Sequence, residues 1–226
     1  MKFTFASSRE RIPLSNNSWV QVLTLVFASI WISTFLGTTD MNNWLLENTL
    51  TFLALGFLAF SYKKYQFSDL SYLLVCVYLC LHVYGSKYTY AENPFGYWLQ
   101  DVFHTDRNHF DRIVHFNFGF LLAYPLRELF LIWLKYPKGA SWFLPIGVTM
   151  SISGLYEIVE WAVADIFFKA QGPAYLGTQG DVWDAQKDIF LAFSGAVMAS
   201  SIVSLIIWKL RPCDSDARAR KKQESP

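Results

Sequence analysis

The sequence predicts an all-α polytopic membrane protein: a transmembrane bundle of six helices with both termini in the cytoplasm. Three observations predict it. Hydrophobic residues make up 53% of the 226 and charged ones only 16%, against about 25% charged in soluble domains. The apolar residues gather into six blocks near 18–37, 44–62, 69–85, 111–134, 142–168 and 186–208. Each block is close to the roughly 20 residues that carry a helix across a bilayer core about 30 Å thick. Lysine and arginine then alternate between the intervening loops, as they do when one set of loops is cytoplasmic. The 19 basic and 18 acidic residues leave a net charge of +1, which excludes a basic nucleic-acid binder. The expected partner is the lipid bilayer.

The elements follow in order. The first block, from Trp19 to Leu36, is too long for a signal-peptide core, and Leu36-Gly37-Thr38-Thr39-Asp40 offers no small-x-small cleavage pattern. It reads as a retained anchor. In the third block Cys76 and Cys80 lie on a stripe turned away from His82 and read as packing. The third cysteine, Cys213, lies in the basic tail, so no disulfide framework is expected. Residues 93–103 predict a short helix capped by Asn93 with Pro94 in its first turn. Its stripe of Phe95, Trp98, Leu99, Val102 and Phe103 has the spacing of an interfacial helix, the alternative being a loop packed on the bundle. The 169–185 loop, with Gly172, Pro173, Gly177 and Gly180, predicts a tight, folded-back segment. Residues 1–211 thus form one six-span domain, and 212–226 a disordered basic tail.

Charge gives the orientation. Thirteen lysines and arginines fall in the N-terminal arm (Lys2, Arg9, Arg11), after the second block (Lys63, Lys64), after the fourth (Lys135, Lys138) and in the tail from Lys209. The alternate loops hold only Lys87, Arg107 and Lys169. Residues 38–43, 86–110 and 169–185 are therefore expected outside. Trp19, Trp133, Trp142 and Trp208 at the inner edges, and Trp44 and Trp183 at the outer, suit the interfaces.

Ionisable side chains within spans are costly, about 2.5–3.5 kcal/mol each at mid-membrane, and their placement is informative. His82 ends span three. Asp111 and His115 share a face at the start of span four. Glu157 and Glu160 share a face of span five, and Asp181, Asp184 and Asp188 lead into span six. At 1.5 Å per residue Glu157 lies about 20 Å above the Trp142 edge, so four segments bring ionisable groups to the outer third. Small residues place Asp188 inward, on the face of Ala192, Gly195 and Ala199. Thr149 and Ser153 extend the polar stripe of Glu157 and Glu160. In the cytoplasmic half, Arg127 and Glu128 can reach their own interface by snorkelling.

Structural roles are open to several of these residues. Asp181 or Asp184 can cap span six, Asp111 can pair with Arg112, and His104 and His109 suit solvated loops. The two glutamates on one face repel unless protonated, paired or bridged by a cation. Four uses of the cluster stay open. One is a divalent metal (Zn²⁺, Mn²⁺ or Fe²⁺) on His82, His115, Glu157 and Asp188, with Asp111 orienting His115 and Glu160 as general base. The others are metal-free acid–base catalysis by Glu157, Glu160 and Asp111, a proton or ion path, and headgroup binding without chemistry.

The blocks Tyr84–Tyr90, Arg107–Phe116, Tyr156–Trp161 and Leu176–Asp188 resemble the YjdF family of bacterial inner-membrane proteins. The resemblance implies a multi-span protein of the inner membrane. Over residues 111–199 the chain is also similar to VanZ-like membrane proteins. It shares an aspartate four before a histidine (Asp111, His115), a glutamate within a span (Glu157) and an aspartate seven before a glycine (Asp188, Gly195), and it departs at Glu160 and Ala192. The function expected from these readings is hydrolysis or transfer on a lipid or envelope intermediate at the outer leaflet. The alternative is binding or ion-coupled transport through the same cavity.

Overall fold

In a computed structural model, residues 12–167 and 176–209 are described. The readings made on Lys2, Arg9, Arg11, Lys169, Gly172, Pro173, Cys213 and the basic tail lie outside those residues. The described chain is all helical. A short 3₁₀ turn, Leu14–Asn16, precedes α1 (Ser18–Gly37), α2 (Met41–Lys64), α3 (Asp69–Ser86), α4 (Pro94–Phe103), α5 (Phe110–Glu128), α6 (Ala140–Phe167) and α7 (Asp184–Lys209). Five of these, α1, α2, α3, α6 and α7, are long and apolar enough to cross a membrane. The six-span count therefore rests on α5. Asp111, Arg112, His115, Arg127 and Glu128 reduce its apolar character, and the helix continues through a π turn to Trp133.

Local sequence sets the helix starts. The side chains of Asn17, Asp40, Ser68 and Asn93 each accept a backbone N–H from the first turn of α1, α2, α3 and α4, meeting donors that a helix cannot satisfy internally. Pro94 takes the first position of α4, and His104 ends that helix in the left-handed region at φ 51°. Its Phe95, Trp98, Val102 and Phe103 side chains are exposed.

The burial pattern is inverted relative to a soluble domain. Leu25, Leu36, Phe143 and Leu155 are 61–76% exposed, whereas Asn48, Thr51, Ser61, Ser71 and Thr149 are fully buried. Lipid solvates apolar side chains as well as a protein interior does, so the bundle is held by close packing and inter-helix hydrogen bonds. Asn48 shows how. It accepts from Trp31 Nε1 at 2.7 Å and donates to Ser86 Oγ at 3.0 Å, tying α1, α2 and α3 together.

α5 is the centre of the bundle, packed on α3, α6 and α7. Its contact with α7 is the closest described. A Cβ at Gly119 would lie 1.8 Å from the Ala192 carbonyl oxygen, and one at Gly195 2.1 Å from that of Phe116. Only glycine lets the two backbones meet so closely. At the other end of α5, Glu128 is buried rather than snorkelling, a correction to the sequence reading. Its carboxylate accepts from Ser68 N at 3.0 Å, Ser68 Oγ at 2.9 Å and Ser71 Oγ at 2.5 Å, capping α3 where a helix N-terminus favours an anion. Arg127 instead lies over the Trp142 ring at 4.0 Å. Cys76 and Cys80 are free thiols that pack with Phe27, Leu79 and Val83.

Candidate functional site

The helix directions bring the first turns of α2, α5 and α7 and the far ends of α3 and α6 to one end of the bundle. Two linked polar clusters form there. In the first, His115 of α5 lies between carboxylates. Its Nε2 is 3.6 Å from Asp111 Oδ1, one helical turn earlier, and 3.5 Å from Glu157 Oε1 of α6. Asp188 of α7 completes the group, and ligand atoms of Asp111, His115 and Asp188 all lie within 4.8 Å of one another. His115 is 8% and Asp188 2% exposed, and Asp188 Oδ1 has no hydrogen-bond partner. Asp188 is held inward because the α5–α7 contact leaves its face of α7 no route outward.

These spacings are too long for hydrogen bonds and close to what a cation needs. With bonds of about 2.1 Å to nitrogen and oxygen, a tetrahedral ion separates its ligands by roughly 3.4 Å. The His115–Asp111 and His115–Glu157 pairs meet that spacing, and Asp111, His115 and Asp188 are the trio whose ligand atoms are mutually within 4.8 Å. Asp111 faces the same ring nitrogen, Nε2, as Glu157. The neighbour of the other ring nitrogen, Nδ1, is Ser153 Oγ at 3.5 Å.

His82 does not join this group, contrary to the ligand set read from the sequence. Its Nε2 faces the Glu47 carbonyl at 3.2 Å and its Nδ1 the Tyr90 hydroxyl at 2.6 Å. A carbonyl only accepts, so Nε2 carries the proton and Nδ1 accepts from Tyr90. Neither nitrogen is left for a metal. His82 anchors the second cluster, in which Tyr156 donates to Glu47 Oε2 at 2.7 Å. Glu160, one turn beyond Glu157 on α6, stands near Tyr156 and Glu47. A small cavity of about 40 Å³ lies where the clusters meet, lined by Tyr78, His82, Tyr90 and Tyr156 of the second and by Asp111 and His115 of the first. It has room for water.

A latch of ion pairs closes the end of the bundle. Arg107 Nη2 meets Asp184 Oδ1 at 2.6 Å, and Arg112 Nη2 meets Asp181 Oδ2 at 2.5 Å and Asp184 Oδ1 at 3.5 Å. Lys187 Nζ also reaches Asp181, at 2.6 Å. Gln179 exchanges two hydrogen bonds with the Asn108 backbone, at 2.9 and 3.0 Å, and Arg107 donates to the Thr178 carbonyl. Gly177 and Gly180, at φ 62° and 84°, allow the tight turns of this segment. Asp181 also accepts from Trp183 N, and these partners, Lys187 first, hold its carboxyl down to about 2. Arg112 therefore pairs with Asp181 and Asp184, not with its neighbour Asp111. Those two aspartates belong to the latch. His104 is exposed, and His109 is half-buried ahead of α5.

Sequence reasoning missed Glu47, Tyr90, Tyr156 and the latch arginines. Glu47 was detectable, as the lone carboxylate in the second apolar block. The tyrosines carried no such signal, because an aromatic near a span end is ordinary.

Comparison with known proteins places this architecture. No solved structure matches the chain. The chain is 34% identical over 188 residues to "Inner membrane protein YjdF" of Escherichia coli (strain K12), covering 82% of this chain and 87% of that protein. The family model described as "Predicted membrane protein (DUF2238)" matches residues 19–209, which takes in the seven helices of the described residues apart from the first residue of α1. The chain is thus a membrane protein and belongs to the DUF2238 family.

Proposed function

We propose that the chain is a six-span inner-membrane protein whose outward-facing cluster of Asp111, His115, Glu157 and Asp188 binds a divalent cation. The bound ion would serve hydrolysis or group transfer on a lipid or envelope intermediate. The six-span count is supported by the position of α5, whose charged residues are surrounded by α3, α6 and α7. The inner-membrane reading is supported by the relative's name, and the orientation by the lysine and arginine asymmetry, which keeps both termini cytoplasmic.

The observation that carries the metal reading is the convergence of three ligand atoms within 4.8 Å, one residue of the trio having a buried, unpartnered carboxylate oxygen. Buried carboxylates crowded around an imidazole call for positive charge. A bound zinc, manganese or iron ion would acidify a water and polarise a phosphoryl or acyl oxygen. Glu157, beside His115 and outside the Asp111–His115–Asp188 trio, would take the proton of that water rather than bind the ion directly. Glu160 acts behind it through Tyr156.

The test is elemental analysis of the detergent-purified protein prepared without chelator. About one equivalent of a transition metal is expected in the wild type, with loss in His115→Ala and Asp188→Asn. A metal-free wild type would overturn the reading. Reporter fusions after Lys64 and at the tail should both report cytoplasm.

A further inference from the structure

Glu157 has two sides. One faces His115, and the other lines a groove of about 930 Å³ between α6 and the segment that leads into α7. The groove wall is apolar along its length, from Met150, Leu155, Ile158 and Trp161 of α6 to Ile189 of α7. It ends in the carboxylates of Glu157, Asp181 and Asp184. Its volume is that of a site for a sizeable organic ligand. Its apolar walls, Leu155 and Ile158 among them, are exposed on the side of the bundle, where a bilayer supplies hydrocarbon.

Two arginines stand behind the polar end, paired with its carboxylates but outside the groove lining. Arg107 and Arg112 pair with the groove carboxylates Asp184 and Asp181, yet each keeps an Nε–H that is buried and without a partner. The side chain of Arg107 is only 10% exposed. Buried guanidinium donors left over beside the Asp111–His115–Asp188 cluster suit a group with several anionic oxygens, which arginine binds through more than one N–H at once.

We propose that this groove seats the hydrocarbon chain of a lipid that ends in a phosphomonoester, with that terminal phosphate at the Asp111–His115–Glu157–Asp188 cluster beside Arg107 and Arg112. The proposal rests on the metal reading of that cluster and names its substrate class. The chain enters sideways between α6 and α7 from the outer leaflet, and the apolar wall selects for a lipid over a free phosphate.

Native mass spectrometry of the protein released from nanodiscs tests this. The probes are phosphatidic acid, phosphatidylcholine and inorganic phosphate. Phosphatidic acid should be retained at least tenfold more than phosphatidylcholine, and inorganic phosphate not at all. Gly154→Leu places a side chain into the groove wall, where a Cβ meets only Ile189 at 3.8 Å. It should lose the lipid while keeping its metal and its melting temperature. Arg107→Gln should weaken retention severalfold, and Ser151→Phe, on the same wall, gives a second block should Gly154→Leu fold poorly. Equal retention of both lipids, binding of inorganic phosphate that Gly154→Leu leaves unchanged, or a lipid-free dimer would each overturn the proposal. A metal-free wild type that still retains phosphatidic acid through the groove would sink the metal reading and leave the groove standing.

Discussion

Replacing Gly119 with alanine tests the framework on which the candidate site depends. A methyl group there would lie 1.8 Å from the Ala192 carbonyl oxygen and 2.7 Å from the Ala196 amide nitrogen. Ordinary contact begins near 3.4 Å, so α5 and α7 must part by about 1.6 Å, the difference between the two distances. The obstacle is helix backbone, which cannot swing aside as a side-chain tip can. The cost should therefore approach the upper end of the ~1–3 kcal/mol typical of overpacking. For a chain of this size that is a fall in melting temperature of about 5–10 °C. The same parting carries Asp188 away from Asp111 and His115, so metal occupancy should fall with it. Gly195→Ala meets the Phe116 carbonyl at 2.1 Å, and because both substitutions open one contact the double variant should lose less than the sum. The assays are thermal unfolding in detergent and metal content. Single variants that melt within about 1 °C of the wild type would refute the close crossing and the geometry built on it.

Three further outcomes are expected. Glu128→Gln keeps the shape of the α3 cap but turns an NH₂ toward donors from Ser68 and Ser71. Stability should fall by about 2–3 kcal/mol in thermal unfolding with metal content unchanged, and a matching loss of metal would contradict the separation of the two ends. Tyr90→Phe leaves the buried Nδ1 of His82 without its donor, at a cost of about 1–3 kcal/mol; equal metal loading in wild type and variant is the check that His82 is no ligand. The third concerns pH. A carboxyl held down to about 2 by Lys187, Trp183 N–H and Arg112 stabilises the latch only while ionised. That contribution is whole above the ordinary aspartate value of about 3.9 and disappears as pH falls through about 2. Hydrogen exchange in residues 176–187 should be flat, after correction for intrinsic rates, from pH 8 to 5. It should rise below about pH 4, and earlier in Lys187→Gln, whereas a rise centred near pH 6 would assign the latch to another group.

Much of the helical architecture was legible because the bilayer imposes a length on each apolar block. The α4 start at Asn93-Pro94 was legible for a local reason, since capping needs only neighbouring residues. The inward aspect of Asp188 followed from Ala192, Gly195 and Ala199 on its face, all of which line the contact with α5 or its surroundings. His82 was misjudged because depth and residue type alone made it equivalent to His115. Its actual partners, the Glu47 carbonyl and the Tyr90 hydroxyl, lie 35 residues before it and eight after it. Arg112 was misjudged for the same reason: Asp111 is nearer in sequence, but Asp181 is the carboxylate the fold brings to it.

By itself the sequence determined that this chain lives in a membrane as a set of helices, and it pointed to His115, Glu157 and Asp188 at similar depth. Hydropathy, capping and charge asymmetry are properties of single segments, readable without knowing which segment touches which. Only the tertiary structure decided the partners. The glycine contacts between α5 and α7 set the distance from Asp188 to His115, and the azimuth of α6 turns Glu157, not Glu160, toward the imidazole. Rotations and separations of that kind come from side chains interlocking between helices, and no periodicity within one helix encodes them.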